Sequence, residues 1–551
     1  MIQRLGEKKL LVSMETSGAI DREAREKWSF NEFALIEAAG RSCAQVFLKA
    51  FPDFFKKEKL SSGKRIILAV GSGNNGADAM VMLRYWILSG LVEAALSTVV
   101  VSRLPKKDEG GAWTELLASL EKMKVSVLVW KNDKVSDNAP KNILAHSDLI
   151  IDGITGTGIK GPLHGASREM AEAINSISLS SVTSHTFHEK RPLVVSVDIP
   201  SGVFDEWKPP EPIIKADITL AIEPQKYCVY YPLARPYSGT ILSVNGVFPG
   251  EMVSTYQGAE LIDWEGVKER IPEISANAYK NKRGSVEVRA GSINSPGAAI
   301  IAARGAQAAG AGLIRIAADD EIYPILASGS GGIIVTPVSS EPNVFEGSGA
   351  ILLGSGWGRE KDRTNVFEKA CALEKSGTPL ILDADAIELA KGKKFSSNAI
   401  LTPHPGEFSA FTGIEKNDLL SRPIPILLKY AADLNACILF KGHVIIVVAP
   451  DGRAGVIDGM LPGLASGGSG DLLAGFCAAI SARMAREDGI FAEGKSCREG
   501  KAFDAYTCAL AASALLMAAA KLLKNRFTDP MEIADKAADL AGAAWLGTVG
   551  S

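Results

Sequence analysis

Residues 464–475 read LASGGSGDLLAG, and the fold of the C-terminal half hangs on this stretch. Gly467, Gly468 and Gly470 permit a tight turn, with φ > 0 where needed, and let the backbone approach a ligand with no Cβ in the way. An apolar helical run, Leu472, Leu473 and Phe476, follows at once. A helix opening here aims unpaired N–H groups and the positive end of its dipole at whatever lies above it, which favours an anion. Asp471 is out of place in a plain anion cradle, because its carboxylate repels phosphate. Its presence makes sense if it has a proton to take from an attacking hydroxyl. The bland alternative is an ordinary helix start with an Asp in its first turn.

Working outward, short apolar runs alternate with helical segments. RGSVEVRAGS (283–292) precedes a small-residue helix, PGAAIIAARGAQAAGAG (296–312). Strands are expected at LIRIAA (313–318), GIIVTP (332–337), AILLGSG (350–356), PLILDAD (379–385), AILTPH (399–404), CILFKG (437–442) and VIIVVAP (444–450). The last two, with RAGVID (453–458), read as an antiparallel edge or hairpin. Clusters with chemical potential punctuate the strand ends: LGSGWG (353–358), LDADA (382–386), TPHPGE (402–407) and FKG (440–442). Backbone amides that neutralise phosphate oxygens, together with a base for the acceptor hydroxyl, are what a phosphoryl-transfer site needs. No G-x-x-x-x-G-K-[ST] occurs, so a P-loop enzyme is excluded. Each residue also has a plainer reading. His404 between prolines could be a surface side chain on a rigid turn, Lys441 could be solvated, and Asp383 and Asp385 could cap the next helix.

The N-terminal half reads helical over 11–50 with a break at 28–31, then β at RIILAV (65–70), STVVVS (97–102), VSVLVW (125–130), DLIID (148–152), LVVSVD (193–198) and ADITLAI (216–222). Strands apolar throughout, separated by helices, indicate a parallel sheet covered on both faces. Ligands bind beyond the carboxyl ends of such strands, where GSGNNGAD (71–78), DGITGTGIKGP (152–162) and VDIPSG (197–202) lie. GSGNNG has the G-x-G-x-x-G spacing of a dinucleotide fingerprint, which taken alone is a weak signal for a simple Rossmann reading. Asn74 and Asn75 offer amide groups suited to a phosphate or a weakly bound monovalent cation. Asp152, Asp198 and Ser201 sit at strand ends that could converge. The strand rhythm lapses around 249–256, which puts a domain boundary near residue 250. Residues 176–190 read as a loop excursion, in which His185 and His188 lack a third metal ligand nearby.

The totals bound the rest. The chain has 551 residues, a formal charge of −3 and 46% hydrophobic residues, which suits two domains and gives no electrostatic footprint for nucleic acid or membrane. Seven cysteines without a C-x-x-C pair indicate reduced thiols. No signal-peptide core opens the chain, and 505–523, though apolar, is alanine-rich with polar interruptions, fitting a buried helix. A cytoplasmic protein is expected.

Two motif series also carry a resemblance. In the C-terminal half, GGSGD, TPHPGE, LDADA and PGAAIIAARGAQAAGAGL resemble the ADP/ATP-dependent NAD(P)H-hydrate dehydratase family of the ribokinase-like superfamily. In the N-terminal half, LVSMETSGAIDREA, VGSGNNGADAMV, DGITGTGIKGP and VSVDIPSG resemble the NAD(P)H-hydrate epimerase family. The resemblance implies two α/β domains: a Rossmann-like parallel three-layer sandwich over 1–250 and a ribokinase-like domain over 251–551. It implies epimerisation of R and S nicotinamide hydrates (NADHX and NADPHX) and nucleotide-driven dehydration of the S form to NAD(P)H, releasing phosphate with AMP or ADP.

By the same resemblance, Asn74, Asn75, Gly76, Ala77, Asp78, Gly156, Thr157, Gly158, Ile159, Lys160, Gly161, Pro162 and Asp198 hold the hydrate in the first domain, with Asp198 catalytic. Asn75, Asp152 and Ser201 coordinate K⁺. In the second domain Ala298, Gly356, His404 and Asp471 contact the hydrate, with Asp471 as the base. Lys441, Gly442, His443, Val444, Ile445 and Gly470 contact ADP or ATP, which arrives with Mg²⁺. A homo-oligomer without nucleic-acid or membrane partners is expected. The chain departs from the family patterns at Ala77 and Ala79 in GNNGADA, at Ala38 in IEAAG, at GSGWG and at Ser295. Alanine at 77 or 79 would cost about 1 kcal/mol or more if φ > 0 were required there. The competing expectation is a ribokinase-like kinase of a small alcohol fused to a non-catalytic ligand-binding domain.

Overall fold

The computed structural model describes residues 9–56, 63–106, 109–130, 139–180, 191–329, 331–340, 345, 347–359, 363–485, 503–524 and 527–546. The chain divides into two compact units, one spanning Lys9–Gly258 and the other running from Ala259 onward.

In the first unit seven strands form one sheet: β1 (Ile66–Val70), β2 (Ser97–Val101), β3 (Ser126–Val129), β4 (Leu149–Gly153), β5 (Leu193–Val197), β6 (Ile218–Ile222) and β7 (Thr240–Val244). Their order is β3-β2-β1-β4-β5-β6-β7, and every pairing is parallel. The apolar runs follow from this topology. Ile66, Leu68 and Val70 face a core holding Phe47 of α1 (Glu32–Ala50) and Trp86 of α2 (Asn74–Leu88). Ile67 and Ala69 face a second core with Met170 and Ile174 on the opposite side. A strand buried on both faces has no polar side to alternate with.

Several expectations for this unit are corrected. Lys9–Val12 is a strand paired in parallel with Gln225–Lys226, not the start of a helix. Thr240–Val244 is a strand that the sequence pattern did not mark, because it lies at the sheet edge with only Val244 buried. Residues 176–180 continue the helix Gly165–Ser180 rather than leave it as a loop, while 181–190, with His185 and His188, lie outside the described residues. The division falls at Gly258 rather than at 250, since Met252 of the helix Gly250–Val253 is buried in the same core as Val244 and Val247.

The second unit is built on β8 (Ala259–Leu261), β9 (Ser285–Arg289), β10 (Leu313–Ala318), β11 (Ile334–Pro337), β12 (Ala350–Leu353), β13 (Leu380–Leu382), β14 (Ala399–Leu401), β15 (Cys437–Phe440), β16 (Val444–Val448) and β17 (Ala454–Asp458). The order is β11-β10-β9-β12-β13-β14-β15-β16-β17-β8. Pairing is parallel up to β15 and antiparallel through β15-β16-β17. The main helices are α3 (Pro296–Ala308), α4 (Pro405–Thr412), α5 (Ser469–Met484), α6 (Ala505–Leu522) and α7 (Pro530–Trp545).

Glycine decides how closely α3 and α5 cross. A Cβ on Gly305 would strike the Leu472 carbonyl, and one on Gly475 would strike the Ala302 carbonyl. The alanine-rich α6 is long and apolar enough to cross a membrane, yet 78% of it is buried inside this unit. Its Leu510 packs over Gly455, and its Tyr506 hydroxyl donates to Glu260 Oε1 at 3.0 Å.

Candidate active sites

In the second unit, the carboxyl ends of β12, β13, β14 and β15 and the start of α5 deliver their side chains to one place. Asp383, immediately after β13, is buried, and its side chain caps nothing. Instead it accepts from Ser355 Oγ at 2.7 Å, Thr402 Oγ1 at 2.7 Å and Lys441 Nζ at 2.8 Å. Burial alone would raise its pKa, but the Lys441 charge and these donors outweigh burial and hold it below the usual value. Lys441, in the loop between β15 and β16, lies 4.0 Å from Glu407 as well. Burial works against its charge, yet Asp383 and Glu407 hold its pKa above normal. Asp385 takes another role, accepting from the Gly358 N–H at 2.9 Å and fixing the GSGWG loop.

Asp471 lies in the first turn of α5. The helix is preceded by Gly468 at φ +92°, a left-handed conformation that favours glycine, and no side chain caps it. Burial, then the negative charge of Asp383, pushes the Asp471 carboxyl up to about 7, with Glu407 adding to this and Lys441 opposing it. A carboxylate so placed is half-protonated at neutral pH, where a general base works best. Gly470 faces Lys441, whose Nζ would lie 3.4 Å from a Cβ at that position.

His404 is partly exposed but not idle. It begins α4 through a capping box, with Nδ1 accepting from Gly406 N at 2.9 Å and Glu407 N at 3.2 Å, while its own N–H donates to Glu407 Oε2 at 2.8 Å. An accepting Nδ1 places the neutral ring's proton on Nε2, which lies 3.4 Å from Glu407 Oε1. Gly356, at φ +56°, stands against Ala298, where a Cβ would approach the alanine methyl to 2.8 Å. Gly442 and His443 are exposed in the β15–β16 loop, whereas Val444 and Ile445 are buried within β16, paired with Asp458 and Ile457. Of that expected nucleotide segment, only His443 has an exposed side chain; Lys441 is turned onto Asp383 and Gly442 exposes backbone. Among the described residues no three His, Cys, Asp or Glu side chains gather as a metal site.

In the first unit, Asp152 ends β4 and is fully buried. Its Oδ1 accepts from Ser201 Oγ at 2.5 Å and Ile154 N at 3.2 Å; its Oδ2 accepts from Ser196 Oγ at 2.7 Å and Ser201 N at 2.9 Å. Burial raises its pKa, with these donors opposing. Asn75 Nδ2 donates to the Thr155 carbonyl at 2.9 Å, and Ser201 Oγ lies 3.1 Å from the same oxygen. Asn75, Asp152 and Ser201 are therefore neighbours. Gly156 abuts Asn75, leaving no room for a side chain, and Thr157–Pro162 continue as a partly exposed loop with Gly161 at φ +114°. Asn74 is exposed and donates to Glu32 at 3.2 Å.

Gly76, Ala77 and Ala79 are buried in α2, and neither alanine has positive φ. The replacements therefore carry no backbone strain. Asp78 lies on the same helix, buried, and is pushed well above the usual carboxylate range by desolvation and then by Asp198. Asp198, after β5, has φ +63° and accepts from Lys226 Nζ at 2.6 Å. A non-glycine residue held in that region marks strain that the surroundings sustain. Lys226 was not singled out in the sequence; its partner is distant in the chain and no motif flags it. Glu407 stood inside TPHPGE without an assigned role.

Two family models match the chain. One, described as NAD(P)H-hydrate dehydratase, matches residues 286–539; the other, described as YjeF-related protein N-terminus, matches 32–228. The bifunctional NAD(P)H-hydrate repair enzyme Nnr of Moorella thermoacetica is 27% identical over 489 residues, covering 86% of this chain and 88% of that protein. The enzyme of the same name from Escherichia coli is 26% identical over 470 residues, covering 84% and 82%. Among solved structures, the ADP/ATP-dependent NAD(P)H-hydrate dehydratase from Bacillus subtilis co-crystallized with ATP/Mg2+ is 26% identical, with a TM-score of 0.44, covering 52% of this chain and 98% of that one.

Proposed function

Because this chain belongs to the family of NAD(P)H-hydrate repair proteins that join a YjeF-related N-terminal domain to a dehydratase domain, we propose that it epimerises R- and S-NAD(P)HX in Lys9–Gly258 and dehydrates the S form in the unit from Ala259 onward, consuming ADP or ATP. The observation that carries this is Asp471: an acid with a pKa of about 7 at an uncapped helix start, beside Lys441. A structural helix-start Asp would remain ionised and solvated, whereas a base for the hydrate hydroxyl needs this tuning.

In the dehydratase unit, Asp471 takes the proton of the hydrate hydroxyl as that oxygen attacks the terminal phosphate. The phosphate ester formed is a good leaving group, and its departure restores the reduced ring. The free N–H groups at the start of α5 and the Lys441 ammonium stabilise the phosphate oxygens. His404, donating from Nε2, together with Ala298 and Gly356, positions the hydrate. Mg²⁺ bound with the nucleotide would supply charge neutralisation; it commonly relies on phosphates and water plus one or two carboxylates, which suits a site where three acids do not gather. Glu407, whose Oε2 already accepts from the His404 backbone N–H at 2.8 Å, would be the acid at hand, since Asp383 takes three donors.

In the epimerase unit, Asn74–Asp78 and the Gly156–Pro162 loop hold the hydrate, and Asp198 exchanges its proton. The Asn75 carboxamide, the Thr155 carbonyl, Ser201 and Asp152 form an oxygen-only set with one negative charge, a chemistry that fits K⁺. Bound there, K⁺ would fix the loop against β4. We place the protein in the cytoplasm, as a homo-oligomer.

The test supplies mixed R and S NADHX with ADP or ATP and Mg²⁺ and follows NADH absorbance. Complete conversion is expected. Conversion stopping at the S fraction would remove the epimerase assignment, and a stable phosphate ester in place of NADH would replace the dehydratase with a kinase.

A further inference from the structure

Two carboxylic acids and one lysine are buried together in the first unit: Asp78 and Asp198 are each 8% exposed and Lys226 is 3% exposed. One cation neutralises one carboxylate. Lys226 Nζ is committed to Asp198 Oδ1 at 2.6 Å and to the Ile222 carbonyl at 3.1 Å. The Ile222 N–H donates to the same Asp198 oxygen at 3.2 Å, which leaves Oδ2 for other work. Asp78 has no such partner, and its Oδ1 is buried without a hydrogen bond. An isolated buried anion costs several kcal/mol, and a carboxyl so placed keeps its proton instead. Other titratable groups facing this cluster are Asp21 toward Asp78, and the buried thiols Cys43 and Cys228, none of which brings a positive charge.

We propose that Asp78 is the proton donor and Asp198, clamped by Lys226, the proton acceptor of the epimerisation, so that this site works with two acid–base groups rather than one. The inference rests on the epimerase reading of this unit. As the carbon–oxygen bond at carbon six breaks, Asp78 gives its proton to the departing hydroxyl, which leaves as water, and the ring-nitrogen lone pair forms the C=N⁺ bond of an iminium. Water re-forms the carbon–oxygen bond from the other face, the C=N⁺ pair returns to nitrogen, and Asp198 takes the proton the oxygen sheds. No oxidant or reductant is needed. The two carboxyls finish with their protonation exchanged, which readies them for the reverse reaction; proton exchange with solvent resets them. Lys226 is a positioning residue that holds Asp198 through its Oδ1, a partner that Asp78 lacks. Pairs of acids whose surroundings drive them apart are the usual mark of such a division of labour.

The experiment uses the full chain with one purified NADHX epimer and no nucleotide, following the other epimer by chromatography. Circular dichroism and thermal melting of the same preparation are the folding control for the first unit, and dehydration of the S epimer is that for the second. Asp78→Asn is expected to slow epimerisation by about 100-fold or more with dehydration unchanged. Lys226→Met is expected to move the acid limb of the epimerisation pH profile upward, because Asp198 loses its counter-ion; a merely structural lysine would lower the rate at every pH without moving the limb. Wild-type epimerisation by Asp78→Asn overturns the proposal and leaves the epimerase reading standing. An inactive wild type overturns the reading itself. If Asp78→Asn fails either control, the variant is misfolded, and an unmoved Lys226→Met profile then overturns the proposal.

Discussion

Replacing Lys441 with methionine should displace the pH dependence of dehydration, and the direction follows from the charges around Asp471. In the wild type, burial and Asp383 raise the Asp471 carboxyl to about 7 against the pull of Lys441. The base must be ionised, so kcat/KM should fall below pH 7 by about tenfold per pH unit. An opposite charge close to a carboxyl lowers its pKa by about 1–3 pH units, so losing the ammonium that opposes the rise moves the limb upward by about that much from this effect alone.

A second effect opposes the first. Asp383, deprived of its 2.8 Å partner, is left as a buried anion; if it takes a proton, its own push on Asp471 disappears, and the net displacement falls to about one pH unit. The assay is kcat/KM for S-NADHX between pH 5 and pH 10 at saturating nucleotide, so that weaker nucleotide binding does not mask the base. An upward move of the limb by one to two pH units is expected. A wild-type profile flat from pH 5 to pH 8 would refute the raised carboxyl, and a variant slower at all pH with an unmoved limb would show that Lys441 acts on the phosphates alone.

Asp471→Asn should reduce dehydration by about 10²–10⁴-fold while sparing epimerisation; equal loss of both activities would mean unfolding. Gly475→Ala tests the crossing of α3 and α5. Helix propensity favours alanine by about 0.8–1.0 kcal/mol, but the Ala302 carbonyl occupies the space, and overpacking of this kind costs about 1–3 kcal/mol. A lower Tm is expected, and a higher one would mean the helices part freely. Arg483→Met should leave stability unchanged or raise it by up to about 2 kcal/mol, because all three guanidinium nitrogens are buried without a hydrogen bond. Burial lowers the Arg483 pKa to about 10; a base depressed in the folded state carries its penalty at every pH below that value, so the gain should be present at pH 7 and shrink above pH 10. A clear fall in Tm at pH 7 would show that the Trp545 ring, 4.3 Å from the guanidinium carbon, outweighs the lost hydration.

The strands were legible wherever the chain is buried on both faces, since β1 and β4 have no polar side to blur the run. The helix start at Asp471 was legible because glycines crowd before an apolar run, and Gly468 at φ +92° needs that freedom. The weak spots share a cause. Thr240–Val244 and Lys9–Val12 are short edge or outlying strands whose state depends on a partner far away in the chain. Lys226 reads as an ordinary lysine until β6 and β5 bring it to Asp198. Asp383 could be read equally as a cap or as a working acid, and only burial beside Lys441 decides against the cap.

The glycine-to-carbonyl crossing of α3 and α5 also limits how this protein can change its diet. Ala298 lies in the first turn of one rod and Asp471 in the first turn of the other, and at Gly305 and Gly475 each rod stands against the other's backbone with no room for a methyl group. The span between Ala298 and Asp471 is thus a fixed gauge. Variants accepting a bulkier or smaller hydrate should arise in the loops after β12 and β14, which can be re-cut one residue at a time, and not by resetting the rods, where a single methyl group would have to move two backbones at once.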